Sequence, residues 1–254
     1  MTLKYKIHPD SPLEYEDFIE VIKNFNNEGK VIDDRGRNLI KSFKRKNITI
    51  NVKSFKVPHL INKIAYKYFR ASKARRSYEH GCLLIDKHIG TPQPLAYFEY
   101  ANIFGIQESY YFSEHLKYDL TYRELRGSPV YPDQERILRQ FTKFTYALHE
   151  EGIFFKDHSA GNTLIVKNGK DYLFYLIDLN RMDFYEMDLD ARMKNFSKLT
   201  EDVDIVKIMS DEYATLSALP YDVVFDKMWE QISAFRNKYE RRQNLKQRFK
   251  GTNQ

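Results

Sequence analysis

The clearest alternation in the chain lies between Asn47 and Phe55, where Ile48, Ile50 and Val52 take turns with Thr49, Asn51 and Lys53. A period of two marks a strand with one face buried. Upstream, Ser11-Pro12-Leu13-Glu14 predicts a helix start, with Ser11 as cap, Pro12 in the first turn and Glu14 reaching back, and the helix running to about Phe25. Val31-Ile32 and Asn38–Phe43 predict two further strands. Beyond Pro58 the spacing changes to that of helices, over 59–70 (Ile61, Ile64, Ala65 and Tyr68 on one stripe) and over 72–88. Gly90-Thr91-Pro92-Gln93-Pro94 breaks the pattern, and Leu95–Tyr100 and Ser109–Ser113 again suit strands. A long amphipathic helix follows over 132–150, with Ile137, Phe141, Phe144 and Leu148 on one stripe and Gly152 as its stop. Thr163–Val166 and Tyr172–Ile177 flank Asn168-Gly169, a strong hairpin signal, and 186–250 is mostly helical in pattern. The order predicts an α+β chain of two lobes, a small β-rich N-lobe over 1–113 and a mainly helical C-lobe over 114–254.

Composition narrows this picture. Hydrophobic residues make up 42% of the 254, enough for a core. No window holds about 18 apolar residues, so no membrane span is expected, and MTLKYKIHPD lacks the apolar stretch of a signal peptide. Cys82 is the single cysteine, which excludes a disulfide framework and a cysteine zinc site and favours a reducing, cytoplasmic setting. The net charge of +6 suits an anionic partner (nucleic acid, anionic lipid or a phosphorylated substrate) and equally suits a basic protein with no special partner.

The candidate chemistry sits where the long helix gives way to the hairpin. Phe154-Phe155-Lys156-Asp157-His158-Ser159-Ala160-Gly161-Asn162 precedes it, and Leu176-Ile177-Asp178-Leu179-Asn180 closes it. An Asp, an Asn five residues on and a second Asp after an apolar strand form the arrangement of protein-kinase-like phosphotransferases. One carboxylate, Asp157, is expected to take or orient the proton of a substrate hydroxyl. The amide oxygen of Asn162 and the carboxylate of Asp178 are expected to hold Mg²⁺ beside the phosphates of ATP, since magnesium needs few protein oxygens. Each element also has a plain structural reading: Asp157 as a loop cap, Asn162 as a turn residue, Asp178 as a strand-end cap. The β-rich lobe should add a strand lysine and a helical glutamate. Lys53, within Ile50-Asn51-Val52-Lys53, fits the first, and Glu79 the second; alternatively Lys53 is a solvated charge and Glu79 pairs with a neighbouring basic residue.

At these residues the sequence resembles the lipopolysaccharide kinase (Kdo/WaaP, InaA-like) family, a remote branch of the protein-kinase-like fold. The resemblance spans roughly 30–215. It rests on Arg35-Gly36-Arg37-Asn38, Val52-Lys53-Ser54-Phe55-Lys56, Ser72-Lys73-Ala74 through Glu79, Thr91-Pro92, Lys156 through Asn162, and Ile177-Asp178-Leu179-Asn180-Arg181. It implies phosphoryl transfer from ATP to a hydroxyl of an inner-core sugar such as Kdo. The acceptor would be the lipopolysaccharide inner core or lipid A–Kdo, on the cytoplasmic side of the inner membrane of a Gram-negative bacterium.

The chain departs from the kinase pattern in several places. There is no G-x-G-x-x-G loop; Gly29 and Gly36 are the only glycines ahead of Lys53, and Arg35, Arg37 and Asn38 are candidates to hold the phosphates. Phe155 stands for the His of H-R-D, Asp178-Leu179-Asn180 for D-F-G, and no A-P-E follows, which argues against a protein-kinase activation segment. Glu114-His115-Leu116 falls where the backbone of an interlobe hinge would bond adenine, so Glu114 and Leu116 are assigned to the nucleotide. His158 is read as a structural or substrate-contacting residue. Residues 236–250 carry seven Lys/Arg against one acidic residue, and Trp229, Ile232, Phe235 and Tyr239 form a helical stripe; this suits either a solvated terminal helix or a helix on an anionic membrane surface. Nucleic acid is not the expected partner, although a basic RNA-associated kinase would use the same charge. An atypical protein kinase and a kinase-like scaffold without turnover complete the alternatives.

Overall fold

The computed structural model describes residues 1–34, 38–55, 71–127 and 130–251. The chain divides into two compact units: Met1–Lys117 with Leu176–Arg181, and Tyr118–Tyr175 with Met182–Gln254. The division falls four residues beyond the lobe boundary expected at 113, and the segment containing Asp178 groups with the first unit.

The first unit is built on a six-stranded antiparallel sheet. Its strands are β1 (Thr2–Ile7), β2 (Lys30–Asp33), β3 (Asn38–Arg45), β4 (Ile48–Phe55), β5 (Pro94–Asn102) and β6 (Gly105–Glu114), in the order β1-β5-β6-β4-β3-β2. The alternation read in β4 sorts its side chains between two layers. Ile50 and Val52 are fully buried under helix α1 (Tyr15–Asn24), packed with Phe18, Val21, Phe98 and Phe112. Phe55 faces the other way, into a small cluster with Tyr97 and with Ala74 and Tyr78 of helix α2 (Lys73–Asp86). Lys53 shares parity with Phe55 and therefore lies on the α2 side of the sheet.

Helix α1 begins later than Ser11-Pro12 suggested. Glu14 occupies the cap position, with its N–H bonded to the Asp17 carboxylate at 2.8 Å. The Ser11 hydroxyl instead closes a local turn with the backbone of Leu13. Helix α2 begins as read: the Ser72 hydroxyl accepts from Arg75 N at 2.9 Å. The helix expected over 59–70 lies outside the described residues.

The second unit is built from α3 (Gln134–Glu150), α4 (Leu189–Phe196), α5 (Val203–Ser217) and α6 (Tyr221–Gly251): α3 packs against α5, and α4 and α5 both pack against α6, with Ile137, Leu138 and Phe141 of α3 in the shared core. The hairpin of β9 (Thr163–Asn168) and β10 (Asp171–Leu176) joins β7 (Leu120–Thr121) in a three-stranded sheet, and β8 (Ile153–Phe155) pairs with β11 (Met182–Phe184). The region read as mostly helical over 186–250 holds three helices. Val224, Met228 and Ile232 of α6 are buried, but Phe235 and Tyr239 are exposed, so the apolar stripe is only half used. No described helix is long and apolar enough to cross a membrane.

Candidate active site

In the first unit, β4 carries Lys53 to the segment that follows β10. Its ammonium donates to Asp178 Oδ1 at 2.7 Å and is largely shielded from solvent, 5.4 Å from the Phe55 ring centre. The same oxygen accepts from Asn180 Nδ2 at 2.5 Å. Asp178 has φ +62°, a left-handed conformation that Asp tolerates better than most residues but that must be held by its surroundings. Those surroundings are visible. Leu176 N–H donates to Gly90 O and Thr91 Oγ1 donates to Leu176 O, both at 2.8 Å, while Leu179 is buried at 2% exposure. Thr91-Pro92, singled out in the sequence, thus anchors the end of the hairpin.

Glu79 is not brought to Lys53. The buried residues of α2 are Ala74, Ser77, Tyr78, Gly81 and Leu84; at about 100° per residue, Glu79 falls on the opposite side. It pairs with Arg75 one turn earlier, Nε to Oε1 2.7 Å, with both side chains 44% exposed. The expected Lys53–Glu79 pair is therefore replaced by Lys53–Asp178 and Arg75–Glu79.

The remaining nucleotide candidates have mixed positions. Asn38 starts β3, and its Oδ1 is buried without a hydrogen-bond partner among the described residues. Arg37, with Arg35 and Gly36, lies outside the described residues. Gly29 serves packing: its φ is +85°, and a Cβ there would come within 2.6 Å of the Phe43 ring. At the chain end of β6, Glu114 N–H is bonded to Gln93 O and His115 N–H to Thr49 O, each at 2.9 Å. The amide donors of both residues are therefore already used.

In the second unit, Asp157 follows β8. Asn162 Nδ2 donates to the Asp157 carbonyl at 2.8 Å, closing the loop on itself and committing the amide nitrogen while the amide oxygen stays available. Two residues not singled out in the sequence hold this loop. Lys198 donates to the Lys156 carbonyl and, at 3.4 Å, to Asp157 Oδ1, and it runs beside Ser159 in a parallel bridge. Asn195 Nδ2 donates to Phe155 O at 2.8 Å, and its Oδ1 faces His149 Nε2 at 3.2 Å. Because an amide oxygen only accepts, Nε2 carries the hydrogen, and Nδ1 accepts from the Tyr213 hydroxyl at 2.9 Å. The chain Tyr213–His149–Asn195–Phe155 is buried throughout. Burial holds His149 neutral, with its pKa pushed down to about 3, and raises that of Tyr213 to about 12. No sequence spacing signals these contacts: the four residues come from α3, β8, α4 and α5.

His158 is 1% exposed, packed among Phe141, Phe155 and Phe196, and burial lowers its pKa to about 4. It is a core residue, which removes the substrate-contacting reading. Gly161 leaves room for Arg123, whose Nη2 would lie 2.7 Å from a Cβ at that position.

Among the described residues no group of three or more His, Cys, Asp or Glu is arranged to hold a metal. Within the first unit Asp178 keeps its second carboxylate oxygen, and within the second unit Asn162 keeps its amide oxygen; each taken by itself is a hard oxygen donor of the kind magnesium accepts.

The β-rich first unit, the helical second unit and the hairpin-terminal aspartate paired with a strand lysine make this an α+β chain with the protein-kinase-like fold. No protein-family model and no curated protein matches the sequence. Among solved structures it is similar to that of WaaP in complex with acyl carrier protein, with a TM-score of 0.63 and 16% sequence identity over 95% of this chain and 99% of that one. At that identity the likeness is one of fold.

Proposed function

We propose that this chain is an ATP- and Mg²⁺-dependent kinase that transfers the γ-phosphoryl group to a sugar hydroxyl, Kdo or another inner-core sugar of lipopolysaccharide. The observation that carries the reading is the Lys53–Asp178 pair, a strand lysine held on the carboxylate that ends the hairpin, in a chain with the fold of WaaP. Lys53 is assigned to the phosphates, whose negative charge its ammonium would offset. Asp178 and Asn162 are assigned to the metal, which when bound neutralises charge on the phosphates. Asp157 is assigned to the acceptor: its carboxylate attracts and then takes the hydroxyl proton as the oxygen attacks phosphorus. Lys198 fixes the rotamer of that carboxylate and offsets its charge. The acceptor sugar and the cytoplasmic-membrane setting come from the family resemblance. Acyl carrier protein is a candidate partner, because the similar WaaP structure contains it.

The test is incubation of the purified protein with γ-labelled ATP, Mg²⁺ and Kdo–lipid A, followed by mass spectrometry. The reading requires a singly phosphorylated glycolipid that is lost with Asp157→Asn. Label on protein hydroxyls alone would make it a protein kinase. ATP binding with no transfer to glycolipid or protein would support the scaffold.

A further inference from the structure

Helix α2 reaches the Asp178 turn through a residue other than Glu79. His80 lies beside the buried stripe of α2, half-buried, and its Nδ1 is 2.6 Å from the Leu179 carbonyl oxygen. A carbonyl only accepts, so Nδ1 carries the hydrogen and donates it. The next residue, Gly81, allows the close approach this bond requires. A Cβ at Gly81 would stand 2.7 Å from Pro94 Cγ and 3.3 Å from both Leu179 Cδ1 and the Tyr111 hydroxyl. The bond falls one residue beyond Asp178, whose φ of +62° must be maintained by contacts on either side. Before it stand the Gly90–Leu176 and Thr91–Leu176 bonds; after it, on the described residues, stands His80–Leu179.

We infer that His80 is a positioning residue, which holds the Asp178 turn in its left-handed conformation by donating Nδ1–H to the Leu179 carbonyl and so couples helix α2 to the proposed metal-binding carboxylate. In this chain the helix-to-site link runs through a hydrogen bond to backbone, whereas Glu79 faces outward on Arg75. The inference rests on the proposed kinase reading for what Asp178 does, but not for the link itself. Loss of the donor frees the turn to leave the φ > 0 region, and the carboxylate then spends less time where Lys53 and Asn180 hold it.

Two readouts separate the link from the kinase reading. Hydrogen exchange of the backbone amides of residues 176–181 reports the turn directly in the unliganded protein. Calorimetric titration with Mg-ATP reports its consequence. His80→Leu removes the donor, with His80→Ala as a second, smaller replacement. His80→Asn keeps a donor, its Nδ2, close to the place of Nδ1. His80→Leu and His80→Ala should exchange these amides about tenfold faster than wild type and bind Mg-ATP about tenfold more weakly, as expected for one buried-side hydrogen bond. His80→Asn should restore both. In an Asp178→Asn background, His80→Leu should have little further effect on Mg-ATP affinity. The inference is overturned if His80→Leu exchanges like wild type, if His80→Asn is no better than His80→Leu, or if His80→Leu weakens Mg-ATP equally with and without Asp178. A wild-type protein that binds no Mg-ATP would end the kinase reading, and the exchange comparison would still decide the role of His80.

Discussion

Asn195→Ala should unsettle the Asp157 loop from behind. Asn195 is 3% exposed, and its side chain answers two groups that have no access to water: the His149 ring, 1% exposed, and the Phe155 carbonyl, in a residue with no exposure at all. Truncation leaves the Nε2–H donor of His149 unpaired, whereas the Phe155 carbonyl loses one donor and keeps the His158 N–H at 3.0 Å. A stranded buried donor costs about 1–3 kcal/mol and the lost second bond about 1 kcal/mol, so a loss of about 3 kcal/mol is expected. Trp229 is the single tryptophan and packs against the core of the second unit, so its fluorescence during urea unfolding reports the relevant transition. His149→Phe should be costly too, since it strands the Asn195 oxygen and leaves the hydrogen of the Tyr213 hydroxyl without its acceptor, although Arg192 still bonds the hydroxyl oxygen. The double variant Asn195→Leu/His149→Phe should lose less than the sum of its parts, because the unpaired groups then disappear together. A stability of Asn195→Ala within about 0.5 kcal/mol of wild type, or strict additivity of the pair, would refute the argument.

Acid should act on the same unit. His149 and His158 are held neutral, with pKa values of about 3 and 4, below the unfolded value of about 6.5. The unfolded chain therefore binds more protons in this window, and stability, complete above pH 6.5, should fall steeply between about 6.5 and 4. His158→Phe should flatten that fall; an unchanged pH profile would contradict it. Glu79→Ala should change Mg-ATP affinity little and cost at most about 0.5 kcal/mol, as for other exposed pairs one turn apart, whereas Lys53→Met should weaken Mg-ATP strongly. Equal losses in calorimetry would contradict the assignment of Lys53. Deleting 236–254 should leave transfer to a soluble acceptor intact but weaken binding to anionic vesicles, with each basic residue contributing on the order of 1 kcal/mol near the surface. Unchanged vesicle flotation at low salt would remove the membrane role.

The parts of this fold that were legible in sequence are those whose patterning is local. The alternation in 47–55, the amphipathic run of 132–150 and the Asn168-Gly169 turn each encode one element through nearest neighbours. β1 was legible but passed over: Leu3, Tyr5 and Ile7 alternate with Lys4 and Lys6, the charged pattern of an edge strand. β8 and β11 have three residues each and pair with each other across 27 positions of chain from Phe155 to Met182; no local signal specifies them. In the site, Lys53 and Asp178 were identifiable because one lies on the polar face of an alternating strand and the other just follows a patterned hairpin strand. Their direct pairing was not, since it spans 125 positions. Glu79 was misassigned to Lys53 because residue type and order were available but helix phase was not. Phase follows from Ala74, Ser77, Tyr78 and Gly81, small or amphipathic residues whose burial becomes evident only against the sheet. Asn195 and Lys198 sit on or just beyond a short helix, and each holds the loop partly through a backbone carbonyl, which no side-chain pattern reveals.

Calorimetric titration of Mg-ATP into wild type, Asp178→Asn and Asp157→Asn tests the central claim most directly. The account predicts that wild type binds only with Mg²⁺ present, that Asp178→Asn binds markedly more weakly, and that Asp157→Asn binds as wild type while its transfer rate falls by about 10²–10⁴. Mg-ATP binding that is absent in wild type, or lost in Asp157→Asn and intact in Asp178→Asn, would contradict it.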